Sequence, residues 1–200
     1  MDEQDYGVML SYIKEYLSLK DKASLLKRLS DPNISTVQRD QVLRTLRLNN
    51  FFENITLIAY CLMPNHFHFL IHQKYANDMD KFMNSLGTRY TMYFNKKYER
   101  VGKLWQGTYK AVPIETESQL LELTRYIHKQ ALNLKGVALQ GDALMQPCSY
   151  PEYIGKRKTV WVQSEEILKF FSKTKQNLLF EAFVEQADDF GIIDKLILEQ

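Results

Sequence analysis

A chain of 200 residues, 45% hydrophobic and 25% charged, has the material for one ordinary domain, alone or with an appended helical element. Two cysteines, Cys61 and Cys148, form neither a bridge framework nor a CxxC pair, which indicates a reducing cytosol. No apolar stretch approaches the roughly 20 residues of a membrane helix, and Asp2, Glu3 and Asp5 exclude a basic signal-peptide start.

Apolar residues at helical spacing predict a helix over 4–19, and a second over 22–30 that Asp31-Pro32-Asn33 breaks. Ser35 or Thr36 caps a third helix through Leu48, with Val37, Val42, Leu43 and Leu46 on one side. Residues 55–63 and 66–72 are β-rich, and Pro64-Asn65 between them makes an antiparallel pair. A helix follows over 77–98, then a strand or extended segment over Leu104–Ile114. Thr116-Glu117-Ser118-Gln119 has the form of a capping box and opens a helix to about Leu132. Residues 136–151 read as an irregular connection. Ser164 then caps a helix through Phe170 and Phe171, and an amphipathic stretch covers Leu178–Leu198. This order is that of an α+β domain, an antiparallel sheet with helices on one face.

The net charge of +2 is small but unevenly placed. Residues 81–110 carry seven basic side chains against one acid, Glu99, interleaved with Tyr90, Tyr93, Phe94, Tyr98, Trp105 and Tyr109. Cations that neutralise phosphate beside rings that stack on bases suit single-stranded nucleic acid. A solvated helix face above an aromatic core explains the same composition.

Chemistry concentrates at His66-Phe67-His68. A strand alternates its faces, so both imidazoles point one way and Phe67 and Phe69 the other. Two such imidazoles can share one divalent ion; alone, they equally fit two half-buried strand histidines with no ligand. His72 continues that face, either as a group behind the metal ligands or, the reading preferred, as simple solvent exposure. Tyr126 and Gln130, four apart in the capped helix, lie on one face a turn apart. A tyrosine hydroxyl, with a pKa of about 10, is a weak nucleophile at neutral pH unless a metal polarises the phosphate it attacks. His66, His68 and the Gln130 carbonyl suit Mg²⁺ or Mn²⁺ better than a closed zinc site.

Four ordered blocks across residues 59–155 carry a resemblance. Leu62-Met63-Pro64-Asn65-His66-Phe67-His68 resembles the LMPNHxHxL signature of the REP-associated tyrosine transposases, part of the insertion-sequence-200-like group of single-tyrosine HUH enzymes. Gly102–Lys110 is similar to their GxLWQxRYK block, Leu120–His128 to LLxLxRYIH, and Ser149–Gly155 to SSYxxYxG. The resemblance implies a ferredoxin-like HUH domain in which Tyr126 is the nucleophile and His66, His68 and Gln130 hold the metal. It implies attack on single-stranded or hairpin DNA, leaving a 5′-phosphotyrosine and a free 3′-hydroxyl. It further implies a protein of the bacterial cytosol or nucleoid, without a membrane partner, working as one subunit or as a homodimer. Arg89, Lys103, Trp105 and Lys110 are candidate DNA contacts, for which packing and solvated surface are the plain explanation.

The chain departs from that pattern in three places. Gln130-Ala131 replaces the Asn-Pro pair after the tyrosine, and Thr108 replaces an arginine. The expected first strand is missing before the first helix, which would leave ladder groups unsatisfied. Residues 20–50 read as a helical insertion. The expected organisation is a catalytic domain over 1–140 and a linker with a helical extension over 141–200. The rival readings are a transposase-derived DNA-binding protein that has lost cleavage, and an unrelated metallohydrolase with water as nucleophile.

Overall fold

The computed structural model describes residues 1–132, 146–172, 174–186, 190–193 and 196. Helix α1 (Glu3–Leu17) starts at a capping box in which Asp5 N–H donates to the Asp2 carboxylate and Asp2 N–H to that of Asp5, each at 2.9 Å. Asp21 caps α2 (Lys22–Leu29). Ser35 and Gln38 form the capping box of α3 (Thr36–Arg47). Of the apolar residues expected on one side of α3 only Val42 is buried, and Val37 is 75% exposed.

Strands β1 (Ile55–Leu62) and β2 (Phe67–Gln73) form the expected antiparallel hairpin, the one sheet among the described residues. Their register slips between Leu57 and Ala59. The extra residue turns Ile58 and Ala59 to the same core, whereas Ile55, Leu57, Tyr60 and Leu62 join the opposite one. Helices α1 and α4 (Asp78–Lys97) close that second core with Ile13, Tyr16, Phe82 and Tyr90. Helix α5 (Glu117–Leu132) closes the first with Leu123, Ile127 and Ala131. The α+β class is therefore as expected, but helices cover both faces rather than one. β1 is the reason: apart from Thr56 it is buried from end to end, so neither face can be left to water.

Two segments differ from their expected form. Leu104–Ile114 joins no ladder. Gly107 and Pro113 interrupt it, and Trp105 leaves it to pack on Phe67 and Tyr90. Ser164 makes no side-chain cap, and the helix after it, α7 (Glu165–Leu168), is a single turn. The tail forms α8 (Gln176–Glu185) and α9 (Phe190–Ile193), following a short α6 (Tyr150–Tyr153). Phe180, Val184 and Ile193 are buried in the α5-side core. Most of the connection expected over 136–151 lies outside the described residues.

The outer edge of β1 is not open. Leu62 N–H donates to Pro147 O (2.9 Å), Ser149 N–H to Tyr60 O (3.0 Å) and Gln163 N–H to Leu57 O (2.9 Å). Tyr60 N–H donates to Ser149 Oγ (2.9 Å), and the Tyr153 hydroxyl donates to Ile58 O (2.9 Å). Residues 147–163 thus satisfy the ladder groups that a strand on this edge would take. Among the described residues no backbone bond joins the other edge, that of β2, to a third strand.

Candidate active site

The β1–β2 turn places His66 just before β2 and His68 within it, on the side of Leu70 and α5. Their rings stand perpendicular, 4.9 Å apart, and the two Nε2 atoms approach to 3.1 Å. His66 Nδ1 lies 2.7 Å from Asn65 Oδ1. An amide oxygen only accepts, so this bond puts the proton on Nδ1 and leaves His66 Nε2 with its lone pair. Two imidazole nitrogens so close require a proton or a cation between them. Adjacent ligands about 2.1 Å from one octahedral ion stand roughly 3 Å apart, so the pair fits Mg²⁺ or Mn²⁺. Among the described residues no group of three His, Cys, Asp or Glu side chains forms a metal cluster.

Tyr126 meets this pair from α5. Thr116 and Gln119 start the helix reciprocally, Gln119 N–H donating to Thr116 Oγ1 and Thr116 N–H to Gln119 Oε1, each at 3.2 Å. The Tyr126 ring lies edge-on to His68 at 6.0 Å between centroids and is 8% exposed. His68 and Tyr126 line one cavity of about 880 Å³, together with His72 and Lys110. His66 borders a smaller one of about 110 Å³ beside Trp105. Gln130 follows Tyr126 by one turn and is half-buried, with no hydrogen bond to either imidazole. The structure therefore brings together His66, His68 and Tyr126, and sets Gln130 on the same helix as the tyrosine.

The four candidate DNA contacts occupy different surroundings. Lys110 is exposed on the large cavity, and Lys103 is exposed on the loop after α4. Arg89 is held by Glu15 at 2.7 Å and lies 3.7 Å over the Tyr12 ring. Trp105 is half-buried, its indole N–H donating to Gly87 O at 3.4 Å. Packing between elements accounts for these last two.

Three residues without a role in the sequence reading support the site. Asn65 orients His66; an amide next to a strand histidine was the available signal. His128, two residues after the tyrosine, is fully buried, and its Nε2 lies 2.8 Å from Ser149 Oγ. Burial pushes its pKa down to about 3, so the ring is neutral and hydrogen-bonds Ser149 Oγ through Nε2. Ser149 in turn bonds β1 at Tyr60, so the turn of α5 bearing Tyr126 is pinned to the strand leading to the histidines. Neither local periodicity nor spacing reveals that link.

Residues 36–130 match the family described as Transposase IS200 like. The matched span runs from α3 to Gln130 and contains both histidines, Tyr126 and the four candidate DNA contacts. It supports kinship with that family at the level of transposase-type action on DNA. No curated protein and no solved structure matches the chain. Among the described residues no helix is long and apolar enough to cross a membrane.

Proposed function

We propose that this chain is a metal-dependent, single-tyrosine DNA strand transferase of the REP-associated type, acting on single-stranded or hairpin DNA. The observation that carries the reading is the 3.1 Å approach of His66 Nε2 and His68 Nε2 beside Tyr126, whose ring stands 6.0 Å from that of His68. His66, His68 and the Gln130 carbonyl would hold a divalent ion, which would supply Lewis-acid polarisation of the scissile phosphate. Asn65 keeps His66 in the ligating tautomer, and the low exposure of Tyr126 limits competition by water. Lys110, at the cavity wall, neutralises a phosphate of the bound strand. Tyr126 Oη attacks phosphorus, the bond from phosphorus to the 3′-oxygen breaks, and the phenolic proton ends on the departing 3′-hydroxyl. The 5′-phosphotyrosine retains the bond energy, so rejoining to another 3′-hydroxyl reverses the step without ATP.

The experiment incubates the full chain with hairpin-bearing single-stranded DNA and Mn²⁺, then resolves protein under denaturing conditions. A covalent protein–DNA band that disappears in Tyr126→Phe is expected. The burial of Tyr126 favours a second reading, a DNA-binding relative without cleavage. It predicts tight, metal-independent binding with no band. Turnover that survives Tyr126→Phe would instead indicate a metallohydrolase.

A further inference from the structure

The α2–α3 hairpin contributes little to the core. α2 buries no side chain and α3 buries only Val42. Both helices are nonetheless capped at their own N-termini, so they are locally well specified. Six exposed cations lie on them: Lys22, Lys27, Arg28, Arg39, Arg44 and Arg47. None forms an ion pair among the described residues. Against them stand Asp21, Asp31 and Asp40, the first two already accepting backbone N–H groups at 2.9 Å. Residues 21–47 thus carry a net +3 in a chain whose total is +2, so the rest of the molecule is slightly acidic.

The cations are also directed. At about 100° per residue, Arg39, Arg44 and Arg47 fall within a sector of roughly 140° that also holds Asp40; Arg44 and Arg47 lie on the side away from Val42 and Arg39 about 60° from it. Arg44 and Arg47 are three apart, a like-charge spacing that costs the helix a few tenths of a kcal/mol, which Asp40 four residues before Arg44 offsets in part. Such a face gains most from a polyanion. The position of the hairpin selects which one. α3 leads through Leu48–Asn54 into the start of β1, whereas His66 follows the opposite end of that strand. Eight residues at about 3.3 Å each separate the two ends by roughly 25 Å, or about seven base pairs of duplex at 3.4 Å each.

We infer that the α2–α3 hairpin is a DNA-binding arm that grips the phosphates of a duplex stem about seven base pairs or more from the scissile phosphate. This rests on the strand-transferase reading above. Arginine side chains on one helix face contact successive phosphates without reading bases, so the arm adds affinity and register rather than sequence choice.

The test measures binding of the full chain to labelled hairpin DNA by fluorescence anisotropy across a salt series. Stems of four and sixteen base pairs are compared in wild type, in R39Q/R44Q/R47Q, and in the charge-matched K14Q/K74Q/K158Q. On the long stem the arm variant should lose about tenfold or more in affinity at low salt. Its slope of log K against log salt should be shallower by about two to three, near 0.9 per lost phosphate contact. The short stem should be bound equally by all three proteins, and the covalent band on it should be unchanged. Equal losses in the charge-matched control, or no loss in the arm variant, would overturn the arm while leaving a Tyr126-dependent band intact. Absence of both binding and band in wild type would overturn the arm and the underlying reading together.

Discussion

His128 and Ser149 meet through a 2.8 Å contact between Nε2 and Oγ, in the interior, twenty-one residues apart in the chain. The serine hydroxyl also accepts from Tyr60 N–H, so one small side chain joins α5 to the edge of β1. The folded protein keeps His128 neutral, with its pKa lowered from 6.5 to about 3 by burial. Between those values the unfolded chain binds the proton and the folded chain does not, so stability falls as pH falls. Each unit corresponds to about 1.4 kcal/mol at most. Urea midpoints recorded from pH 7 to pH 4 should decline more steeply in wild type than in His128→Asn, which carries no titrating imidazole. Parallel profiles would remove His128 from the account.

Ser149→Ala leaves Tyr60 N–H and His128 Nε2 buried without their partner. The expected loss is about 1–3 kcal/mol per stranded group, read from denaturant unfolding. Ser149→Thr keeps the hydroxyl, so any hydrogen-bonding role should be partly restored by it.

Asn65→Ala removes the acceptor that orients His66. Loss of such a supporting bond lowers metal affinity about 10- to 100-fold. Mn²⁺ titration followed by electron paramagnetic resonance should show that drop with no change in unfolding midpoint. Unaltered Mn²⁺ affinity would mean the turn alone orients the ring.

Asp5 is buried and tied to Lys97 at 2.8 Å, Tyr98 at 2.8 Å and Tyr93 at 3.1 Å, joining α1 to the end of α4. Burial raises its pKa, but the Lys97 and tyrosine hydrogen bonds outweigh this and bring it down to about 2. Its carboxylate therefore contributes stability that is complete above pH 3.8 and is lost as pH falls from there to about 2. Asp5→Ala leaves Lys97 paired with Asp2 at 2.6 Å but removes the acceptor of the Tyr93 hydroxyl and of Asp2 N–H, and should cost about 1–3 kcal/mol. Thermal melts at pH 7 should show it, with a smaller loss in Asp5→Asn.

Gly87 lies inside α4, where a Cβ would meet Trp105 Nε1 at 3.5 Å, an ordinary contact. Gly87→Ala should therefore stabilise the protein by about 0.5–1 kcal/mol through helix propensity. Gly87→Leu should displace Trp105 instead, visible as a shift in tryptophan fluorescence.

Much of the secondary structure was legible because it depends on short-range rules. Caps such as Ser35 with Gln38 and Thr116 with Gln119 act within four residues, and the hairpin at Pro64-Asn65 is local as well. Leu104–Ile114 had the composition of a strand, but a strand exists only where another edge receives it. Ser164 had the identity of a cap without the geometry, since its φ and ψ of −64° and −24° are already helical.

By itself the sequence determined that His66 and His68 share a face, because side chains alternate along any strand, and that Tyr126 and Gln130 share another, because a helix repeats every 3.6 residues. Only the tertiary structure decided that the imidazoles converge to 3.1 Å, that the Tyr126 ring stands beside His68, and that residues 147–163 cover the edge of β1. The bond from Tyr60 to Ser149 spans 89 residues, and no local period reports such pairings. They form because buried backbone groups must find partners wherever the folded chain brings one within reach.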